Sequence, residues 1–316
     1  MRFGFHITIA GGWRKTIQRA VERRCTALQV FTGAPVQWDR KPMDPEGAQW
    51  FAETLRALDI QPLFVHAIYL LNLATPDTML WRRSRDHLTD ELRRAKLIGA
   101  QGVVFHLGSV GAEGKPEAGM RRVARALDWA AERTPDGPRL ILENGSGQGN
   151  VVGSSVESIA QIIDTSHCQD RLCVCIDTAH AFAQGYPVHD PEGLGQFLDD
   201  CDAAFGLERL ALIHANDSRS RLGSHVDRHA HIGKGEIGPE GFRAIMNEPR
   251  LGHLPFILET PDQEEWHAKD LRALRAVVDG AIRPALPRIR PVPEQPKTPP
   301  DRDGSGRAGD APGRTR

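Results

Sequence analysis

No run of eighteen consecutive apolar residues occurs in the 316-residue chain, so the sequence offers no membrane-spanning helix. The opening MRFGFHITIAGG lacks the basic-then-apolar layout of a secretory signal and reads directly as a strand, so the expected location is the cytoplasm. Neither sign of charge dominates: 40 Lys and Arg face 41 Asp and Glu, a net charge of −1. That balance is unlike the strongly basic composition of many nucleic-acid-binding domains. Cysteine is sparse and unpatterned. Cys25, Cys168, Cys173, Cys175 and Cys201 are odd in number and contain no CxxC pair, which excludes a disulfide framework and a thiolate zinc site and leaves reduced thiols. No GxGxxG follows the first strand, which argues against a doubly wound dinucleotide-binding sheet.

The chain does contain an ordinary globular share of hydrophobic residues, 40%, distributed in a regular way. Short apolar runs begin at Phe3, Ala27, Pro62, Gly102, Arg139, Arg171, Arg209 and Pro255, eight in all. Near-continuous apolar runs of this length are expected of parallel strands covered on both faces. Amphipathic stretches of helical length separate them, as at 77–98, 117–132 and 190–205. Eight strand–helix units in about 280 residues predict an α/β fold of the (β/α)8 TIM-barrel type. The barrel is expected over residues 1–283. Residues 284–316 hold eight prolines, several glycines and many charges, and read as a disordered tail.

Ligand-type side chains end six of these strands. PLFV runs into His66, VVF into His106, LIL into Glu143, CVCI into Asp177 with His180 three residues on, LALI into His214, and FIL into Glu259. In a TIM barrel the carboxyl ends of the strands converge on one rim, so residues distant in sequence would meet there. A lone histidine at a strand end is most often a hydrogen-bonded structural group, and a lone carboxylate is often a helix cap. Several carboxylates buried together are different, because their charge is costly unless cations offset it. Histidine and carboxylate donors suit zinc or a similar first-row ion. The loop after His214 adds Asp227, His229 and His231 at alternate positions, and spacing does not choose between the two histidines.

These segments resemble the zinc-dependent apurinic/apyrimidinic endonucleases of the endonuclease IV family. The matching stretches are HAIYLLNLA at 66–74, FHLGS at 105–109, LENGSGQG at 142–149, CIDTAHAFAQGY at 175–186, HANDS at 214–218, VDRHAHIGKGEIG at 226–238 and LETP at 258–261. The resemblance runs from about residue 3 to residue 280. It implies a monomer with three zinc ions per chain, manganese being able to replace zinc at one or more sites. His66, His106 and Glu143 would hold the first; Glu143 would bridge to a second held also by Asp177, His214 and Glu259; His180, Asp227 and His229 would hold the third. His231 falls outside this set, as an outer-shell group or a DNA contact. The implied reaction is hydrolysis of the phosphodiester 5′ to an abasic site in double-stranded DNA, with trimming of blocked 3′ ends, and Glu143 as the central catalytic ligand. Tyr69 matches a residue that probes the duplex. Val36 stands where the family commonly carries arginine, and Gln37 beside it is a further expected DNA contact. Two other readings share many of these features: a metal-dependent sugar isomerase or epimerase on the same barrel, and a non-cutting DNA-damage-binding protein.

Overall fold

The computed structural model describes residues 1–261, 264–278 and 290–296. Its strands are β1 (Arg2–Ile7), β2 (Leu28–Val30), β3 (Leu63–His66), β4 (Gly102–Phe105), β5 (Arg139–Glu143), β6 (Leu172–Asp177), β7 (Leu210–His214), β8 (Asp217–Ser218), β9 (His229–Ala230) and β10 (Pro255–Leu258). β1 to β7 and β10 close a barrel in the order β1-β10-β7-β6-β5-β4-β3-β2, and every pairing within it is parallel. These eight strands are the eight apolar runs of the sequence. β8 and β9 form a separate two-stranded antiparallel ribbon above the barrel.

The helices are α1 (Trp13–Glu22), α2 (Pro45–Ala57), α3 (Thr78–Leu97), α4 (Pro116–Glu132), α5 (Val156–Thr165), α6 (Thr178–Gln184), α7 (Pro191–Phe205), α8 (Gly238–Asn247) and α9 (Glu264–Ala276). Side-chain caps start several of them. Asp44, Asp77 and Asp190 accept backbone N–H groups of the first turns of α2, α3 and α7, and Ser155 and Ser158 form a reciprocal capping box on α5. Among the described residues no helix is long and apolar enough to cross a membrane. All five cysteines are free.

Two apolar layers hold the fold. The larger lies between strands and helices and includes Phe3, Phe51, Phe105, Phe242 and Phe256, all fully buried. The smaller fills the barrel itself: Ala27, Phe64, Val104, Ile141, Cys175, Leu212 and Ile257. Because side chains alternate across a strand, the residue two positions on from each inner one also points inward. That rule lifts Gln29, His66, His106, Glu143, Asp177, His214 and Glu259 into one polar layer on top of the apolar plug. β1 joins the layer through His6, paired in register with Gln29. It comes close because Gly4, two residues before His6, carries no side chain: a Cβ there would stand 2.1 Å from the Ala27 carbonyl oxygen.

The expected domain boundary at 283/284 lies outside the described residues, as does most of the expected tail. The described piece, 290–296, lies on the barrel. Val292 packs against the larger core layer, and the Arg290 guanidinium donates to the Ala57 carbonyl at 3.3 Å.

Candidate metal centre

Glu143 sits at the middle of the polar layer with no exposed side-chain surface. One carboxylate oxygen lies 3.0 Å from His66 Nε2 and 3.2 Å from His106 Nε2; the other lies 3.1 Å from His214 Nδ1 and 3.5 Å from His180 Nδ1. Asp177 ends β6 and starts α6, and its two oxygens divide their work. Oδ1 caps the helix by accepting from the His180 backbone N–H at 2.9 Å, which fixes the three-residue step to His180. Oδ2 accepts from Asn216 Nδ2 at 2.6 Å and faces His229 Nε2 at 3.6 Å and His214 Nδ1 at 3.9 Å. Glu259 reaches His214 Nδ1 at 3.2 Å.

Among the described residues three groups bring donor atoms close enough to share a cation: His66, His106 and Glu143; Glu143, Asp177, His214 and Glu259; and Asp177, His180 and His229. The first two coincide with the sets the sequence resemblance implied. The third contains Asp177 where Asp227 was expected. Asp227 still belongs beside it, with one oxygen 3.2 Å from His180 Nε2 and the other 3.2 Å from His229 Nε2.

Most of these rings are held by a hydrogen bond on their far side. His66 Nδ1 lies 2.7 Å from the Ala67 carbonyl, His180 Nδ1 2.9 Å from the Asn144 carbonyl, and His229 Nδ1 3.3 Å from the Glu259 carbonyl. A carbonyl oxygen only accepts, so in each ring Nδ1 carries a hydrogen, which leaves Nε2 as the nitrogen turned toward the carboxylates and able to give its lone pair to a cation bound among them.

The electrostatics favour a cation. Burial opposes charge on His180, but Asp177, Asp227 and Glu143 outweigh it and push the ring up to about 10. His229, likewise buried, is carried up to about 9, chiefly by Asp177 and Asp227. Burial alone would raise Glu143 and Glu259; histidines His106 and His214 for the first, and His214 and His6 for the second, hold both well below the usual carboxylate range. The layer therefore carries a strong negative potential that draws protons onto imidazoles. His229 Nε2 is buried, with carboxylate oxygens of Asp227 and Asp177 at 3.2 and 3.6 Å. Oxygen and imidazole donors clustered under such a potential fit zinc or a similar divalent ion.

The expected DNA contacts separate. Tyr69 is 52% exposed at the mouth, its ring 5.9 Å from that of His106 and inclined by 26°. It stands between two cavities. One, of about 560 Å³, is lined by His6, Phe31, Pro35, Glu259 and others; the second, of about 640 Å³, by His106, Ser109, Glu143, Gln148, His180 and others. Val36 is 63% exposed, Gln37 is exposed beside it, and the Tyr69 N–H donates to Pro35 O at 3.0 Å, so the two loops adjoin. His231 does not join the donor groups. It is buried, stacks on Trp266 with centroids 4.2 Å apart, and its Nδ1 lies 2.9 Å from Asp270 of α9, so it offers no face to a duplex and braces the β9 loop instead.

Four polar residues of the site carry no role in the sequence reading. His6 and Gln29 complete the layer from β1 and β2. Asn144 accepts the Asp177 N–H at 2.7 Å, and Asn216 accepts the Glu259 N–H at 2.8 Å while donating to Asp177. The available signal was the period of two: His6 and Gln29 follow the inner positions Gly4 and Ala27 by two residues.

A closed parallel barrel with clustered carboxylates and imidazoles at its carboxyl rim defines the class, and residues 17–277 match the xylose isomerase-like TIM barrel family. The chain is 41% identical over 261 residues to the probable endonuclease 4 of Halothermothrix orenii, spanning 83% of this chain and 94% of that one. It is also similar in structure to endonuclease IV from Thermus thermophilus, with a TM-score of 0.76, 37% identity, and coverage of 88% of this chain and 98% of that one. The chain belongs to the endonuclease IV family. A D-tagatose 3-epimerase-like protein shares the fold at a TM-score of 0.68, 17% identity, and coverage of 88% of this chain and 97% of that one.

Proposed function

We propose that this protein is a DNA-repair endonuclease that hydrolyses the phosphodiester on the 5′ side of an abasic site, leaving a 3′-hydroxyl and a 5′-deoxyribose phosphate, and that it also trims blocked 3′ ends. The observation that carries the reading is Glu143, whose two oxygens face four histidines from four separate stretches of the chain. His66, His106 and Glu143 would hold one zinc ion; Glu143, Asp177, His214 and Glu259 a second; His180, His229 and Asp227, with Asp177 adjoining, a third. Bound there, the ions would supply a water of lowered pKa and positive charge against the phosphate.

The chain's own residues do the rest. Carbonyl oxygens of Ala67, Asn144 and Glu259 keep His66, His180 and His229 in one orientation. The apolar plug below the layer keeps water from the underside of the site. Tyr69, with Val36 and Gln37 on the adjoining loop, offers half-exposed and exposed surface at the mouth for a duplex that kinks easily where a base is missing. An apolar Val36 would press into the stack where a basic residue would reach a base edge or a phosphate. The sugar-epimerase reading is supported by fold likeness alone, and it gives no use to the third group around His180, His229 and Asp227.

An end-labelled duplex bearing one synthetic abasic site tests the proposal beside an undamaged duplex. Incision on the 5′ side of the lesion, with a 3′ end that a polymerase extends, is the expected result. Equal cutting of both duplexes, or none by zinc-loaded protein, would overturn it.

A further inference from the structure

His214 differs from the other oriented histidines of the centre in two respects. It presents Nδ1, and its far nitrogen meets a side chain. That side chain is Gln29 of β2, fully buried. Gln29 Nε2 lies 2.7 Å from Glu259 Oε1, which also lies 2.8 Å from His6 Nδ1. Gln29 Oε1 lies 2.9 Å from His214 Nε2.

The hydrogen-bond chemistry allows one assignment. An ionised carboxylate has only lone pairs to offer, so the amide end that touches Glu259 must be the NH2. The other end is then the carbonyl oxygen, which only accepts. His214 Nε2 must therefore carry a hydrogen, which leaves Nδ1 as the nitrogen that can give a lone pair to a cation. Nδ1 lies 3.1 Å from Glu143 Oε1 and 3.2 Å from Glu259 Oε2, so all three atoms would face a cation held there. One amide thus sets the tautomer of one donor and the angle of another, in the same group.

We propose that Gln29 is a positioning residue for the group formed by Glu143, Asp177, His214 and Glu259, locking His214 as an Nδ1 donor through its carbonyl and orienting Glu259 through its NH2. The inference rests on the reading that this group holds zinc. It concerns binding of the ion and not the substrate, so it can be tested without DNA.

Two measurements test it. In zinc-loaded wild-type protein, long-range 1H–15N spectra of the imidazoles should give His214 as the Nε2–H tautomer; an Nδ1–H tautomer would overturn the assignment. The second measurement titrates zinc out of wild-type and Gln29→Met proteins with a chromogenic chelator. Methionine keeps the volume and removes both hydrogen-bonding ends. One zinc ion per chain should bind about 10- to 100-fold more weakly in the variant, the usual cost of an outer-shell partner, while the remainder hold as before. Gln29→Glu keeps an acceptor for His214 and should keep its tautomer, although it sets a second carboxylate against Glu259. Unchanged zinc affinity in Gln29→Met would refute the role of Gln29 and leave the metal reading standing. A wild-type protein that takes up no zinc would refute both. Should Gln29→Met not fold, the wild-type spectrum decides alone.

Discussion

Glu143 is where the whole layer meets, and its replacement separates charge from shape. Glu143→Gln keeps size and burial but removes the negative charge that faces His66, His106, His180 and His214. The expected outcome is a folded protein that has lost zinc and more than about 100-fold in abasic-site incision, beyond the cost of an outer-shell change. Metal analysis and single-turnover cleavage on one preparation check it; wild-type-like incision would remove Glu143 from the centre. At this scale the sequence was readable where a polar residue closed an apolar run, as at His66, Glu143 or His214. It was not readable at His6 and Gln29, which lie inside FGFHITI and ALQVFT and look like interruptions of a strand. Gln29 is also not a ligand type, and its importance depends on two partners, His214 and Glu259, 185 and 230 residues away.

Elements rather than single residues decide where the mouth loops stand. The segment between β2 and α2, which carries Val36 and Gln37, has no regular structure and is stapled to α3 instead. Arg40 reaches Asp90 and the buried Glu91, Thr32 donates to Glu91, Arg94 Nη2 donates to the Thr32 carbonyl at 2.7 Å, and Arg83 lies 4.5 Å above the Trp38 ring. Removing Glu91 leaves the buried Arg40 guanidinium only the half-exposed Asp90 as its ionic partner, and breaking a buried pair typically costs up to about 3–5 kcal/mol. Glu91→Ala should therefore lower the melting temperature and weaken binding to an abasic duplex, with zinc content unchanged. Unaltered DNA affinity would mean that the stapled loop does not touch the duplex. The staple was illegible in the sequence because Arg40 and Glu91 lie on segments that only the closed barrel brings together. Spacing alone could not choose between His229 and His231 for a similar reason. β9 is two residues long, so alternation does not persist to His231, whose partner Asp270 sits on α9.

For the whole molecule, the eight apolar runs were legible because each strand is buried on both faces and leaves a continuous signature. The end of the chain was less so. A composition rich in proline and charge suggested that nothing beyond residue 283 would contribute, yet Val292 packs on the core and Arg290 reaches Ala57. Ending the chain at residue 289 should lower the melting temperature by a few degrees, since losing about 1 kcal/mol shifts a domain of 150–250 residues by roughly 2–4 °C. No change by calorimetry would mean that this contact contributes nothing to stability. The charge balance fits the same picture: the net −5 of residues 1–280 includes the four carboxylates of the centre, which cations would offset locally.

The central claim is that the barrel rim holds three zinc ions and that together they cut DNA beside a missing base. The most direct measurement adds zinc stepwise to metal-free protein and follows incision of the abasic duplex at each step. The account predicts negligible incision at the start and a rise that is complete only near three zinc ions per chain. Full incision by metal-free protein, or none once three ions are bound, would contradict it.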